Sequence, residues 1–116
     1  MIATYNDADE AAEKGAYAIA FCIIEKFTGL KPMLKSAKDN GFDYHMGYEA
    51  QDDFLNFSPI ARLEVSGILK VSKNNSMEKR YNSKVKQIQS YSNDSPAYVV
   101  IVGYNESMAK VGAFNA

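Results

Sequence analysis

Two acidic residues in the middle of the chain are the strongest candidates for chemistry. Asp43 follows Gly41 closely in a stretch of alternating apolar and polar residues, and Glu64 lies in a second stretch of that kind. If the two stretches form neighbouring β-strands, the two carboxylates can converge on one hard cation. Mg²⁺ and Mn²⁺ prefer oxygen ligands, and such an ion activates water and stabilises charge on a phosphodiester. The pair therefore predicts a metal site with hydrolytic chemistry.

A second group of candidates lies on a predicted helix further along the chain. Its members recur at i, i+4, i+7 and i+11 and so share one helical stripe: Arg80, Lys84, Gln87 and Tyr91. The segment 62–94 has seven basic and three acidic residues, although the whole chain carries a formal charge of -1. Two cations, an amide and a phenol suit a phosphate backbone, so the stripe predicts nucleic-acid binding.

Hydrophobic periodicity and turn signals predict the elements that position these residues. The predicted elements are a helix over 8–28, a β-hairpin over 31–48 with its turn at 39–41, a strand over 61–68, a helix over 77–91 and a strand over 97–102. Asn6 or Asp7 would cap the first helix and Gly29 would end it. The strand over 61–68 should have one apolar and one mostly polar face, and the tail from Asn105 can hold one more short element. This order predicts an α/β domain with a mixed central sheet flanked by helices.

Composition limits the class of protein. The chain has 116 residues, 47% of them hydrophobic, which suffices for one compact core, so we expect a single domain over 1–116. Cys22 is the only cysteine, which excludes a disulfide framework and a cysteine-rich zinc site. The apolar run over 16–24 is too short to span a bilayer, and acidic residues precede it where a signal peptide would be basic. We therefore expect a cytoplasmic protein that does not bind membranes.

Three motifs together resemble those of the PD-(D/E)XK nuclease superfamily. They are Gly41-Phe-Asp43-Tyr, Ala61-Arg-Leu-Glu64-Val-Ser66 and Gln87-Ile-Gln-Ser-Tyr91, and the likeness extends over residues 7–102. The resemblance implies a restriction-endonuclease-like αβββαβ core in which Asp43 and Glu64 bind Mg²⁺ or Mn²⁺. It further implies that Gln87 and Tyr91 place the scissile strand, and that the protein hydrolyses phosphodiester bonds in DNA. Glu10 or Glu13 would be the first-helix acid that some members add as a metal ligand.

Ser66 departs from this pattern, because the family has a lysine at the corresponding position. That lysine positions or deprotonates the attacking water, and a hydroxyl does not replace its charge. Lys84 is the best-placed substitute, with Lys70 and Lys38 as weaker candidates. If no lysine substitutes, the domain is catalytically inactive and binds nucleic acid or a protein partner through the same face. An interaction or inhibitor protein of phage defence or of a toxin system is a third interpretation, and a homodimer, in which two sites could address two strands, is compatible with each.

Simpler interpretations stand beside these. Asp43 follows a glycine and can be a turn residue, and Glu64 can face water or pair with Arg62. His45, as the only histidine, is more often a packing or surface residue than a ligand. The stripe beginning at Arg80 can be a solvated helix face.

Overall fold

The computed structural model describes residues 5–35, 43–48, 60–89 and 95–115. Its elements are α1 Tyr5–Thr28, β1 Lys31–Lys35, β2 Tyr44–Gly47, β3 Ala61–Ile68, α2 Met77–Gln89, β4 Ala97–Gly103, a 3-10 turn Tyr104–Glu106 and β5 Met108–Phe114. The strands form one sheet in the order β1-β2-β3-β4-β5. β3 and β4 run parallel, and the other neighbouring pairs run antiparallel. The protein is therefore an α/β domain with a five-stranded mixed sheet and two helices.

The predicted order of elements is confirmed, with two differences, at the start of α1 and in the length of β5. α1 already includes Asn6 and Asp7, so the prediction that they cap the helix is wrong. Asparagine and aspartate are only weakly unfavourable inside a helix, and the helix continues through them. β5 is a full seven-residue strand where only a short element was expected. The hairpin turn over 39–41 and the predicted end of α2 at 91 lie outside the described residues.

The two helices cover opposite faces of the sheet. On the first face, α1 packs Ala16, Ala20 and Ile24 against a core that includes Leu63 and Val65 of β3. On the second face, α2 packs against residues of β3 and β4 that include Ile68, Val99 and Ile101. β4 is buried along its whole length, as its apolar sequence predicts. Within the described ranges, neither helix is long and apolar enough to cross a membrane.

β3 differs from its prediction in one respect that matters for the site. Its second face was expected to be mostly polar and accessible, but Arg62, Glu64 and Ser66 on that face are as buried as the apolar residues between them. α2 covers this face, so the polar side chains need partners inside the protein rather than water.

Gly67 allows α1 to approach the end of β3 closely. A Cβ atom at this position would lie 2.5 Å from the carbonyl oxygen of Ala12 and 3.1 Å from the Cβ of Ala16. The first of these distances is too short for any real contact, so the packing of α1 on β3 requires glycine here. This close approach also brings Glu13 of α1 to the edge of the strand.

Candidate functional site at the divergence of β2 and β3

The site lies where β2 and β3 stop pairing. Their register runs from Met46 opposite Ala61 to Tyr44 opposite Leu63, just after Asp43. Beyond that point, two backbone N–H groups of β3 donate to carboxylates instead of to a strand. Val65 N donates to Asp43 Oδ2 at 2.7 Å, and Gly67 N donates to Glu13 Oε1 at 3.1 Å. Asp43 and Glu13 therefore accept hydrogen bonds from the backbone N–H groups of β3 that do not pair with β2.

Glu64 is the third acidic residue of the site and is held from the side of α2. Its side chain is 1% exposed, and Lys84 Nζ lies 2.7 Å from its Oε1 atom. Gln87 Nε2 donates to the same oxygen at 3.5 Å. The other oxygen, Oε2, is buried and accepts no hydrogen bond from the described part of the chain. An unpaired buried carboxylate oxygen is unfavourable, so Oε2 is the atom of this site whose burial is least compensated by the described residues.

The surroundings of Glu64 raise the pKa of its carboxyl group. Burial raises the pKa of the Glu64 carboxyl from 4.5 to about 7, the hydrogen bond from Lys84 opposes that rise, and the negative charges of Asp43 and Glu13 add to it. The three carboxylates therefore share one electrostatic environment, although they are held by different contacts. At neutral pH Glu64 is divided between its neutral and its charged form.

Tyr17 is a member of the site that the sequence analysis did not identify. Its hydroxyl donates a hydrogen bond to Asp43, and its ring lies edge-on to Tyr44 with centroids 5.3 Å apart. Burial raises the pKa of Tyr17, and the charge of Asp43 raises it further, so the hydroxyl keeps its proton. Tyr17 lies four residues after Glu13 on α1, and this spacing on one helix face is the signal that could have identified it.

Ser66 connects the two helices above and below the sheet. Its Oγ atom accepts a hydrogen bond from Arg80 Nη1 at 2.6 Å and donates to Glu13 Oε1 at 3.4 Å. The other terminal nitrogen of Arg80, Nη2, donates to Asn75 Oδ1 at 3.0 Å. Ser66 stands where the resemblance implies a lysine, and its hydroxyl is hydrogen-bonded to the Arg80 guanidinium.

A cleft of about 390 Å³ opens beside this hydroxyl, at the carboxyl end of β3. Its walls include Glu13, Gly67, Lys70, Asn75 and Arg80. Arg80 is held by two neutral acceptors, and neither it nor Lys70 is paired with a carboxylate among the described residues. Arg80 and Lys70 therefore line, together with the Glu13 carboxylate, a space that is large enough for a phosphate group.

The structure places the predicted site residues at different locations. Asp43 and Glu13 bind the β3 backbone at Val65 and Gly67, and Glu64 contacts Lys84 and Gln87 of α2. Arg80 and Lys70 lie at the adjacent cleft, and the alternative first-helix acid, Glu10, is exposed. Tyr91 and Lys38 lie outside the described residues. In the described ranges, no three histidine, cysteine, aspartate or glutamate side chains are grouped closely enough to hold a metal ion.

The protein is thus a small α/β domain with a buried carboxylate, Glu64. Its side-chain partners Lys84 and Gln87 both belong to α2. No protein-family model, curated protein or solved structure matches the chain.

Proposed function

We propose that this domain is a metal-dependent nuclease with a restriction-endonuclease-like core, and that it hydrolyses phosphodiester bonds in DNA. The observation that carries the proposal is the buried Oε2 atom of Glu64, which has no hydrogen-bond partner among the described residues and lies in a carboxyl group beside the Lys84 ammonium. The motif order, with Asp43 before Glu64 and the basic helix after both, supports it.

The residues fit Mg²⁺ or Mn²⁺ as a two-carboxylate ligand set. Glu64 Oε2 would be one ligand and Asp43 another, with Glu13 as a further acid nearby. Burial is the main cause of the raised pKa of Glu64, and the negative charges of Asp43 and Glu13 add to it; a cation would neutralise that charge. When bound, such an ion lowers the pKa of a coordinated water and stabilises negative charge on the phosphate.

The cations of α2 have separate roles in the proposal. Lys84 lies next to Glu64 and supplies the positive charge that Ser66 lacks, so its ammonium would donate a hydrogen bond that orients the attacking water. Arg80, fixed by Ser66 and Asn75, presents its guanidinium to the cleft and binds a phosphate of the substrate strand. Gln87 keeps the Glu64 carboxylate in place through its amide.

A catalytically inactive domain is the alternative, and one observation favours it. Lys84 pairs directly with Glu64 inside the protein, so the ammonium already neutralises the carboxylate that a metal ion would otherwise bind. In that case the domain keeps the fold and binds nucleic acid or a protein partner through the face that carries Arg80.

Two measurements separate these functions. The protein is incubated with supercoiled plasmid, linear duplex and single strands, with and without Mn²⁺, and Mn²⁺ binding is measured by titration calorimetry. A nuclease cuts only with the ion, and Glu64→Gln and Asp43→Asn each reduce cutting by at least about 100-fold and weaken Mn²⁺ binding. The control is Glu106→Gln, which removes an exposed carboxylate away from the site.

The remaining outcomes are equally informative. DNA binding that is indifferent to Mn²⁺, without cutting, supports the inactive domain. Absence of both DNA binding and Mn²⁺ binding overturns the nuclease and the nucleic-acid-binding form of the inactive domain, and leaves only a domain that binds a protein partner.

A further inference from the structure

The cleft at the carboxyl end of β3 has walls of both charges. Arg80 and Lys70 contribute two positive charges and Glu13 one negative charge, so the charged side chains of the wall sum to +1. Asn75 adds an amide, and Leu69 adds an apolar side chain. The volume of about 390 Å³ is that of a site for a small ligand or for one unit of a polymer. The cleft therefore suits a group with a single negative charge that also carries a hydrogen-bond donor.

The cationic wall has hydrogen-bond donors left for a ligand. A guanidinium has five N–H donors, and Arg80 uses one on Ser66 Oγ and one on Asn75 Oδ1. Both acceptors are neutral, so the positive charge of Arg80 is not cancelled by them. Lys70 is exposed and makes no hydrogen bond or ion pair with the residues that the structure describes. Guanidinium and ammonium groups bind phosphate oxygens, so this wall fits one phosphate group.

The Glu13 carboxylate places a second requirement on the ligand. Its Oε1 atom accepts hydrogen bonds from Gly67 N at 3.1 Å and from Ser66 Oγ at 3.4 Å, whereas its Oε2 atom accepts none from the described part of the chain. An ionised carboxylate only accepts hydrogen bonds, so the ligand group that faces it has to be a donor. In nucleotides, a sugar hydroxyl is a donor that carboxylates bind. A second phosphate in this place would be repelled.

We propose that the cleft binds a nucleotide through one phosphate group and one free sugar hydroxyl, with the phosphate on Arg80 and Lys70 and the hydroxyl on Glu13. An internal nucleotide of DNA has no free sugar hydroxyl, so in DNA this combination occurs only at a strand end without a terminal phosphate. A ribonucleotide inside a strand is the other source of the same chemistry. The choice of DNA rests on the proposed function, and on that choice the protein acts from strand ends.

The position of the cleft along β3 suits this role. Ser66, whose hydroxyl holds Arg80, lies two residues after Glu64 on the same face of β3, and such residues are roughly 7 Å apart. Consecutive phosphates of an extended single strand are separated by a similar length. A strand end in the cleft therefore leaves the next phosphodiester within reach of Glu64, to which the proposed function assigns the metal ion.

Binding in metal-free buffer, in which no cutting occurs, measures recognition of the end. Fluorescence anisotropy compares an internally labelled DNA single strand that ends in a 3′-hydroxyl with the same strand ending in a dideoxynucleotide or a 3′-phosphate. Each change should weaken binding by about 10-fold, because the first removes a charge-assisted hydrogen bond and the second adds repulsion. The same comparison at the 5′ end, and with strands that contain ribonucleotides, distinguishes the three sources of the hydroxyl.

Glu13→Gln tests the anionic wall. The amide keeps the shape of the side chain and an acceptor for Gly67 N but loses the charge, so the preference for a hydroxyl end over a phosphate end should fall below about 3-fold. Glu10→Gln is the matched control, because Glu10 is an exposed carboxylate on the same helix, and it should keep the wild-type preference. Arg80→Met should weaken binding of every strand while the preference remains. Circular dichroism confirms that each variant is folded.

Four results would overturn the proposal. They are equal binding of strands with and without the hydroxyl, a preference that Glu13→Gln leaves intact, a circular single strand that binds as tightly as a linear one, and no binding of any strand. A preference shown only by ribonucleotides supports the ligand chemistry and overturns the choice of DNA ends. Cutting of circular DNA with Mn²⁺ but without end preference keeps the nuclease function and removes this proposal, and end preference without cutting does the reverse.

Discussion

Lys84 Nζ lies 2.7 Å from Glu64 Oε1, and this pair joins α2 to the most buried polar residue of β3. The contact satisfies one oxygen of the carboxylate and leaves the other without a partner among the described residues. A buried ion pair of this kind adds little net stability, because removing the carboxylate from water offsets most of the attraction. The pair is therefore weak evidence for stability, and its main structural effect is to hold α2 against β3 at Glu64.

The stability of the protein should depend on the protonation of Glu64. The folded pKa of this group is raised from 4.5 to about 7, so between these pH values the folded protein retains a proton that the unfolded chain has lost. The contribution of Glu64 to the free energy of unfolding is then fully present below about pH 4.5 and is lost as the pH rises through 7. Glu64→Gln should become more stable than wild type over that window, by up to roughly 3 kcal/mol.

Urea unfolding of wild type and Glu64→Gln at several pH values from about 4 to 8 measures this difference. Glu106→Gln is the control and should follow the wild-type curve, because Glu106 is exposed. A difference between Glu64→Gln and wild type that does not change with pH would contradict the shifted pKa.

Removal of the ammonium should destabilise the protein more than removal of both charges. Lys84→Met leaves the Glu64 carboxylate buried without its cation, and we expect a loss of about 2 kcal/mol at pH 8, limited by uptake of a proton. In the Lys84→Met, Glu64→Gln double variant most of that loss should disappear. Denaturant unfolding in a double-mutant cycle measures the coupling. Lys86→Met, on the exposed side of the same helix, should be close to neutral. A change in the double variant that equals the sum of the changes in Lys84→Met and Glu64→Gln alone would show that the pair is not coupled.

Arg80 should contribute to nucleic-acid affinity through charge. On the proposed function its guanidinium binds one phosphate, so Arg80→Met should reduce the slope of log affinity against log salt by about 1. Fluorescence anisotropy of a labelled oligonucleotide at several salt concentrations gives this slope. Lys26→Met is the control, because Lys26 is an exposed cation on α1, the helix of the opposite face. A slope that changes equally in both variants would assign the effect to net charge rather than to the cleft.

Gly67→Ala should disrupt the packing of α1 on β3. The added methyl group would meet the carbonyl oxygen of Ala12, and a backbone atom cannot move aside without shifting the helix. We expect a loss of about 2 kcal/mol or more in thermal or urea unfolding. Ala16→Gly, added to Gly67→Ala, should not restore stability, because it removes only the more distant contact. Recovery of stability in that double variant would show that the helix yields at Ala16 instead.

The elements of the fold were predictable because their signals lie within short stretches of the sequence. Alternation of apolar and polar residues predicts β3, and an unbroken apolar run predicts the covered strand β4. Ser76 precedes α2, and its Oγ atom accepts a hydrogen bond from Lys79 N at 3.1 Å, as is typical of a serine at the start of a helix. The sequence did not predict β5 as a strand. Its residues MAKVGAF lack a polar face, and the strand is stabilised by pairing with β4 rather than by a local pattern.

The sequence by itself determined the order of helices and strands and the chemical types of the site residues, since periodicity and side-chain chemistry are properties of the chain alone. Only the tertiary structure decided that Glu64 is buried, that Lys84 reaches it across the face of β3, and that Tyr17 donates to Asp43. Burial, pairing and the pKa of a group depend on what other elements pack around it. Those neighbours come from segments far apart in the chain, which no local pattern brings together.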